Sequence, residues 1–370
     1  MKHSYKKFLK SCMVFLLIFL VGCRSDQLSL ERTSIALVVG IDQSQEEGDM
    51  TIYQTNPVFS REATDTVSTL QTTAHSLRQA RDNLDSQSAG TIVGGKLQVL
   101  LLGKELMKEQ AMFEELDVFY RDPKNSPNAR VAMVDGPIRE IMEFKPEDKP
   151  RLAVYLSDLI DTTHLRENAV LTTLQEFHYA NFEKGITPAV TEILFKGEEI
   201  QVKGSALLDE NGKYVFSAGH LESSIIQMLR KDVQEPIPIS LVVEKPNKVL
   251  SVGVTRIKRN IDVSYKDDQL VFDIDFKLKV SITENTSSLD LIKDSSRIES
   301  IISKKIEKKA DKLIKKVQDE KIEPFGLGVY VRAYEYDKWK TFEDDWPEEF
   351  SKAKVNVKTS VSIIEHGVIQ

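Results

Sequence analysis

Residues 270–282 read LVFDIDFKLKVSI, and every second residue from Leu270 to Ile282 is apolar. Successive side chains of a strand point to opposite sides of a sheet, so this alternation specifies a strand with one buried face. The stretch before it, VTRIKRNIDVSY (Val254–Tyr265), alternates in the same way, and Lys266-Asp267-Asp268-Gln269 turns the two into a hairpin. KVNVKTSVSI (Lys354–Ile363) repeats the period. Between them, Asp290–Asp319 has helical spacing, with an apolar stripe of Leu291, Ile298, Ile302, Ile306, Leu313 and Val317. After EPFGLG the chain is expected to return to a strand at Val329. The last third therefore reads as a hairpin-rich sheet covered by one long helix.

Upstream the rhythm changes. Ile35–Ile41, Met50–Phe59, Leu97–Leu102 and Ala129–Val134 read as strands, and Thr64–Leu84 and Leu106–Arg121 as helices. Pro137 suits a helix start. This alternation predicts a sheet packed with helices. Arg151–Leu165 and Leu171–Phe182 extend it with two more helices. Ala189–Phe195, Gln201–Leu208 and Lys213–Ala218 are strands, the last two joined by Asp209-Glu210-Asn211-Gly212, and Asn-Gly is a strong hairpin signal. A helix over Glu222–Arg230 precedes DVQEPIPIS (Asp232–Ser240), whose prolines and lack of period mark a boundary. The fold class is α+β: a multidomain chain of mixed sheets with packed helices. The expected divisions are 1–22, 23–185, 186–236 and 237–370.

The first 22 residues are a leader. Lys2, Lys6, Lys7 and Lys10 precede the apolar run Cys12–Val21, which is too short to cross a bilayer as a helix. Leu20-Val21-Gly22-Cys23 resembles the bacterial lipobox, in which the cysteine takes a diacylglyceryl thioether, becomes the new N-terminus and is N-acylated. Two or more acyl chains give stable anchoring. Cys23 is thus the expected lipidation site, and the mature chain is expected to be anchored to a membrane. Removing residues 1–22 removes four lysines and moves the formal charge from −7 to −11. So acidic a chain is a poor generic nucleic-acid binder. Cys12 leaves with the leader, so the mature body holds no disulfide and no thiolate metal site. The five remaining histidines are scattered, which argues against zinc.

Motifs for catalysis are missing. GTIVGGKL (Gly90–Leu97) nearly spells a phosphate-binding loop, but Leu97 replaces the magnesium-binding hydroxyl and a strand follows where a helix is needed. No GxSxG or HExxH occurs, and no cofactor is expected. The seven lysines of Ser303–Gln318 read as a solvated face, with Glu307 and Asp311 as i, i+4 partners. A basic helix lying on anionic lipid is the competing reading.

Taken together, IALVVGID (Ile35–Asp42), Phe325-Gly326-Leu327-Gly328, Trp339, Trp346, Phe350 and Val355-Asn356-Val357-Lys358 resemble the Ger(x)C family. These are the lipoprotein C subunits of bacterial spore germinant receptors. Arg24-Ser25 departs from the Trp-Asp that often follows the family's anchor cysteine. The resemblance implies three mixed α+β domains and a non-catalytic receptor component. It implies integral-membrane A and B subunits as partners, at the outer face of the spore inner membrane, in a complex that answers small-molecule nutrients. A stand-alone, lipid-anchored solute-binding protein is the rival reading. Trp339 and Trp346 are either plugs at the edge of the core or anchors for a partner. The acids flanking Trp346 in TFEDDWPEEF favour docking.

Overall fold

The computed structural model describes residues 33–365, apart from 47, 60–62, 64, 146, 147, 231–235 and 245–247. The leader and the lipidation site expected at residues 1–22 and Cys23 lie outside the described residues. Fourteen described strands run in chain order: β1 Thr33–Ile35, β2 Val38–Gln43, β3 Met50–Pro57, β4 Val67–Ala74, β5 Thr91–Val93, β6 Val99–Gly103, β7 Arg130–Val134, β8 Ala189–Phe195, β9 Ile200–Leu208, β10 Tyr214–Gly219, β11 Ile237–Glu244, β12 Lys248–Lys266, β13 Gln269–Asn285 and β14 Lys354–Glu365. The fold is α+β, as expected from the sequence.

Eight strands form one mixed sheet in the order β10-β9-β8-β7-β6-β2-β3-β4, with β2, β6, β7 and β8 parallel. Its centre is buried on both faces. In β6, Leu100 and Leu102 enter one core, while Val99 and Leu101 enter another on the opposite side. An unbroken apolar run such as LQVLLL is what a strand covered on both sides requires. The three strands expected to build a separate middle domain instead complete this sheet, because β8 pairs in parallel with β7. The division expected near residue 185 therefore does not coincide with a sheet boundary.

The second sheet is β11-β12-β13-β14. The hairpin of β12 and β13 pairs from Leu250↔Asn285 to Lys266↔Gln269. Asp267 and Asp268 both sit at positive φ (50° and 57°), as a two-residue turn that matches the strand twist demands. Phe272, Ile274, Phe276, Leu278, Val280 and Ile282 are all buried. The long helix, Ser295–Asp319, lays Ile298, Ile302, Ile306, Leu313 and Val317 over them. It also closes the outer edge of β14: Thr359 N–H donates to Glu307 Oε1 (2.7 Å) and Ile363 N–H to Glu299 Oε1 (2.9 Å). Glu307, expected to pair with helix lysines, is thus spent on the sheet. Helix His220–Arg230 joins the halves. Its Ile225, Ile226, Met228 and Leu229 share one core with both Phe216 of β10 and the second sheet.

Three further expectations are corrected. Thr64–Leu84 is not one helix: Val67–Ala74 is strand β4, paired with β3 at all eight positions, and the helix starts at Leu77. VSTLQTTA is rich in β-branched residues that suit a strand. Ser76 stops the strand and caps the helix, its Oγ accepting Gln79 N–H at 3.2 Å. Leu106–Arg121 breaks into Lys104–Glu109, Met112–Glu115 and Asp117–Arg121, which wrap Leu106, Met107, Met112, Phe113 and Leu116 into the core. The chain after EPFGLG is the helix Leu327–Tyr334 rather than a strand, entered through Gly326 at φ 81°. Of the expected boundary, 232–235 lie outside the described residues. The rest opens β11, an edge strand where Pro238 loses no ladder bond it must make.

Candidate functional site at the joint of the two sheets

Both motif-bearing ends of the chain serve close packing. At the end of β2, Asp42 Oδ2 accepts the N–H of Ile138, fixing the helix Ile138–Met142 against the sheet (3.0 Å). Burial pushes the Asp42 carboxyl up, against the hydrogen bonds from Ile138 and Gln43. A Cβ on Gly40 would lie 2.5 Å from Ile138 Cγ2, and one on Gly103 would lie 2.2 Å from Asp42 Oδ1. The GID run is therefore a docking socket for a helix of its own chain. Beside it, Lys104 and Lys203 reach Asp135 and the wholly buried Glu192. Lys104 Nζ is 3.0 Å from Asp135 Oδ1, and Lys203 Nζ is 2.5 Å from Asp135 Oδ2 and 3.3 Å from Glu192 Oε1. Burial opposes the charge of Asp135, but the two lysines outweigh it and hold its carboxyl below the usual range. Of the glycines of Gly90–Leu97, Gly90 precedes β5 and Gly94 and Gly95 turn from β5 into β6, so a strand and not a helix follows them.

The second constellation joins the two halves. Thr187 N–H donates to Glu323 O (2.8 Å), and Glu323 N–H returns to Thr187 Oγ1 (3.1 Å). The Glu323 side chain, wholly buried, gathers three amides: Phe325 N–H at 2.8 Å, Gly326 N–H at 3.0 Å and Leu327 N–H at 3.2 Å. Burial pushes its carboxyl up to about 7, against the pull of those amides and of the Trp346 indole. The indole acts there as a nearby dipole, since among the described residues its Nε1 has no partner in hydrogen-bonding geometry. Arg230, at the end of the bridging helix, donates from Nε to Pro324 O (2.6 Å). Burial of its guanidinium lowers its pKa to about 10, with Glu323 opposing.

One turn further, Gly185 and Gly328 let two backbones touch. A Cβ on Gly328 would lie 2.6 Å from Gly185 Cα and 2.8 Å from Trp346 Nε1. Glu183 closes the same seam. It takes both nitrogens of Arg332 (2.9 and 3.0 Å), the Tyr179 hydroxyl (2.9 Å) and Gly185 N–H (3.0 Å). Burial raises the Glu183 carboxyl, but these donors outweigh it and hold it below the ordinary glutamate range. A bidentate pair of this kind fixes orientation as well as contributing energy.

Trp339 and Trp346 are the inner wall of this joint. Their relative exposures are 1% and 0%. Trp346 lies 5.5 Å from Trp339, 6.2 Å from Phe342 and 5.9 Å from Phe350 between ring centroids. The docking role expected for the two rings is therefore corrected: both are enclosed by their own chain and offer no face to a partner. The reason is helical geometry. Helices Tyr336–Phe342 and Trp346–Lys352 turn Trp339, Phe342, Trp346 and Phe350 to one side. The acids Glu343, Asp344, Asp345, Glu348 and Glu349 fall on the others.

Nothing in these arrangements assembles a nucleophile with a base. Among the described residues no cluster of three or more His, Cys, Asp or Glu is placed to hold a metal ion, and no helix is long and apolar enough to cross a membrane. The residues the sequence reading missed are Glu183, Gly185, Thr187, Glu323 and Arg332. Only the glycines of EPFGLG signalled the joint.

Comparison with known proteins matches the chain in two blocks. Residues 26–194 fit a family described as "Spore germination protein N-terminal domain", and residues 203–367 fit "Spore germination B3/ GerAC like, C-terminal". Spore germination protein B3 of Bacillus subtilis is 23% identical, over 97% of this chain and 98% of its own. GerQC of Bacillus cereus is 21% identical, over 79% and 81%. YndF of Bacillus subtilis is 20% identical, over 80% and 74%. The crystal structure of GerBC superposes with a TM-score of 0.60 at 16% identity, over 89% of this chain and 98% of that one, a likeness of fold.

Proposed function

The chain belongs to the Ger(x)C family of spore germination proteins, and from that membership we propose that it is the lipid-anchored, non-catalytic subunit of a nutrient germinant receptor. In this reading Cys23 carries the lipid, and the body stands on the outer face of the spore inner membrane. There it assembles with integral-membrane A and B subunits. The observation that carries the reading is the ordered match of both halves to germination domains, over nearly the whole of residues 26–367. The lipobox-like Leu20-Val21-Gly22-Cys23 supports the anchor. The joint supports a structural role: its charged and aromatic groups pair with one another, which suits a body that holds a fixed shape. A solute-binding protein of two lobes around a cleft finds no support here, because the two sheets share one packed core through His220–Arg230.

The test is on the anchor and the complex together. Wild-type protein from spore membranes should show by mass spectrometry an acylated N-terminal Cys23 and should co-purify with two integral-membrane subunits. Cys23→Ala should stay unprocessed and leave the membrane fraction. An N-terminus elsewhere, or a wild-type protein that purifies alone, overturns the proposal.

A further inference from the structure

Beside the short two-stranded pair of β1 and β5, the eight- and four-stranded sheets have four edge strands, and three are guarded. The glutamates of the long helix occupy the edge of β14. β11 carries Pro238, and Lys305 of the long helix donates to its Val242 carbonyl. β10 has six residues, a register shift between Tyr214 and Phe216, and Lys316 over its Phe216 ring. Such devices are how proteins keep edges from pairing.

β4 has none of them. VSTLQTTA contains no proline, no glycine and no charge, and its register with β3 is unbroken from Pro57↔Val67 to Met50↔Ala74. Ser68, Thr69, Gln71 and Thr73 are exposed. Among the described residues, the only hydrogen bond to a main-chain group of 67–74 from outside the β3 ladder is that of the Thr72 hydroxyl to Thr73 O. The side chains on either flank are held locally: Asn83 Nδ2 donates to Thr72 Oγ1, and Thr69 Oγ1 to Met142 O. Among the described residues, nothing else occupies the strand's outer rail of amides and carbonyls.

Its position points to an occupant. Thr33, Ser34, Asn56, Phe59, Ser68 and Leu70 line one open hollow, so the chain enters the fold beside β4. Nine residues separate Cys23 from Thr33 and span at most about 35 Å when extended. If the anchor is at Cys23, a premise taken from the function proposed above, this edge stands near the membrane surface. We propose that β4 is a strand-addition site for an extended, uncharged segment of a membrane-embedded partner, rich in β-branched and hydroxyl residues. Main-chain bonding would supply affinity, and the strand's own uncharged side chains offer no partner to a charged one. A second copy of this chain is the weaker occupant. Eight residues paired edge to edge bury well under the ~1,200 Å² that stable dimers need.

The experiment compares the lipidated full chain alone with the same chain bound to co-expressed integral-membrane receptor subunits. In hydrogen exchange, alternate amides of residues 67–74 should slow at least tenfold in the complex, while those of β11 are unchanged. The paired variant Gln71→Lys/Thr73→Lys, on exposed positions, should keep its unfolding temperature and its acylated Cys23 yet recover the membrane subunits at least tenfold less. Unchanged β4 exchange in an intact complex overturns this proposal and leaves the function standing. A chain that forms dimers with β4 protected in the absence of the membrane subunits overturns it in favour of self-pairing. A wild-type chain that recovers no membrane subunit overturns the function itself.

Discussion

The two sheets bury their strands by different rules. In the eight-stranded sheet the central strands are short, five to seven residues in β2, β6, β7 and β8, and lie between two cores. In the four-stranded sheet β12 and β13 run for 19 and 17 residues with one face packed. The first kind of strand gains from burial on both sides and needs little length. The second must win its stability along a ribbon, so it depends on whatever covers its one apolar face. Here that cover is the long helix and the aromatic wall of Trp339, Trp346 and Phe350. The difference predicts that damage to the cover unravels the second sheet while the first holds.

Trp346→Ala should give the largest effect, costing about 3–5 kcal/mol in chemical denaturation, as removal of a fully enclosed large aromatic does. Amides of β12–β14 should lose hydrogen-exchange protection, and those of β6 and β7 should keep it. Loss of both together would abolish the distinction between the sheets. Next comes a pH effect at the joint. The folded pKa of Glu323, about 7, lies above its ordinary value of 4.5, so the folded chain holds that proton more tightly than the unfolded one. The resulting stabilisation is complete below pH 4.5 and is lost as pH rises through 7. Between pH 8 and 5.5 the Glu323 contribution should grow by on the order of 2 kcal/mol. Glu323→Gln should flatten that rise, and a curve of unchanged slope would show that the joint does not couple the sheets through this proton. The smallest effect sharpens the edges. Glu307→Ala frees Thr359 N–H and should cost about 1 kcal/mol. Faster exchange at Thr359, with no change at β4, is the signature to measure.

Legibility followed the same division. Leu270–Ile282 could be read residue by residue because its inward and outward positions differ in polarity. The long helix stripe was equally open, since Ile298, Ile302 and Ile306 repeat at the helical period. Thr64–Leu84 misled because Val67, Leu70, Ala74 and Leu77 happen to match helical spacing across what is a strand followed by a capped helix. There the β-branched content of VSTLQTTA was the better guide. Trp346 misled for a geometric reason: its acidic neighbours were counted along the chain, whereas burial is decided around the helix. The joint was almost silent. Glu183 and Arg332 are far apart in sequence, and Gly185 needs Gly328 only because their backbones meet in space. No local pattern encodes a contact of that range. The lipobox-like run Leu20-Val21-Gly22-Cys23 is a local pattern and can be read without a fold, and it lies outside the described residues.

The placement of β14 has a consequence for the order of folding. β13 and β14 are parallel neighbours with all of residues 286–353 between them, and Thr187 and Glu323 close a loop of similar kind across the two halves. Contacts of such sequence separation are slow to find. The eight-stranded sheet is complete by Gly219, so its strands can pair without waiting for the rest of the chain. The four-stranded sheet must wait for its last strand, β14. Until Lys354–Glu365 arrives, β13 is itself a bare edge, and the glutamates at 299 and 307 have no amides to hold. The second half of the molecule is therefore the slow and aggregation-exposed part of its own assembly.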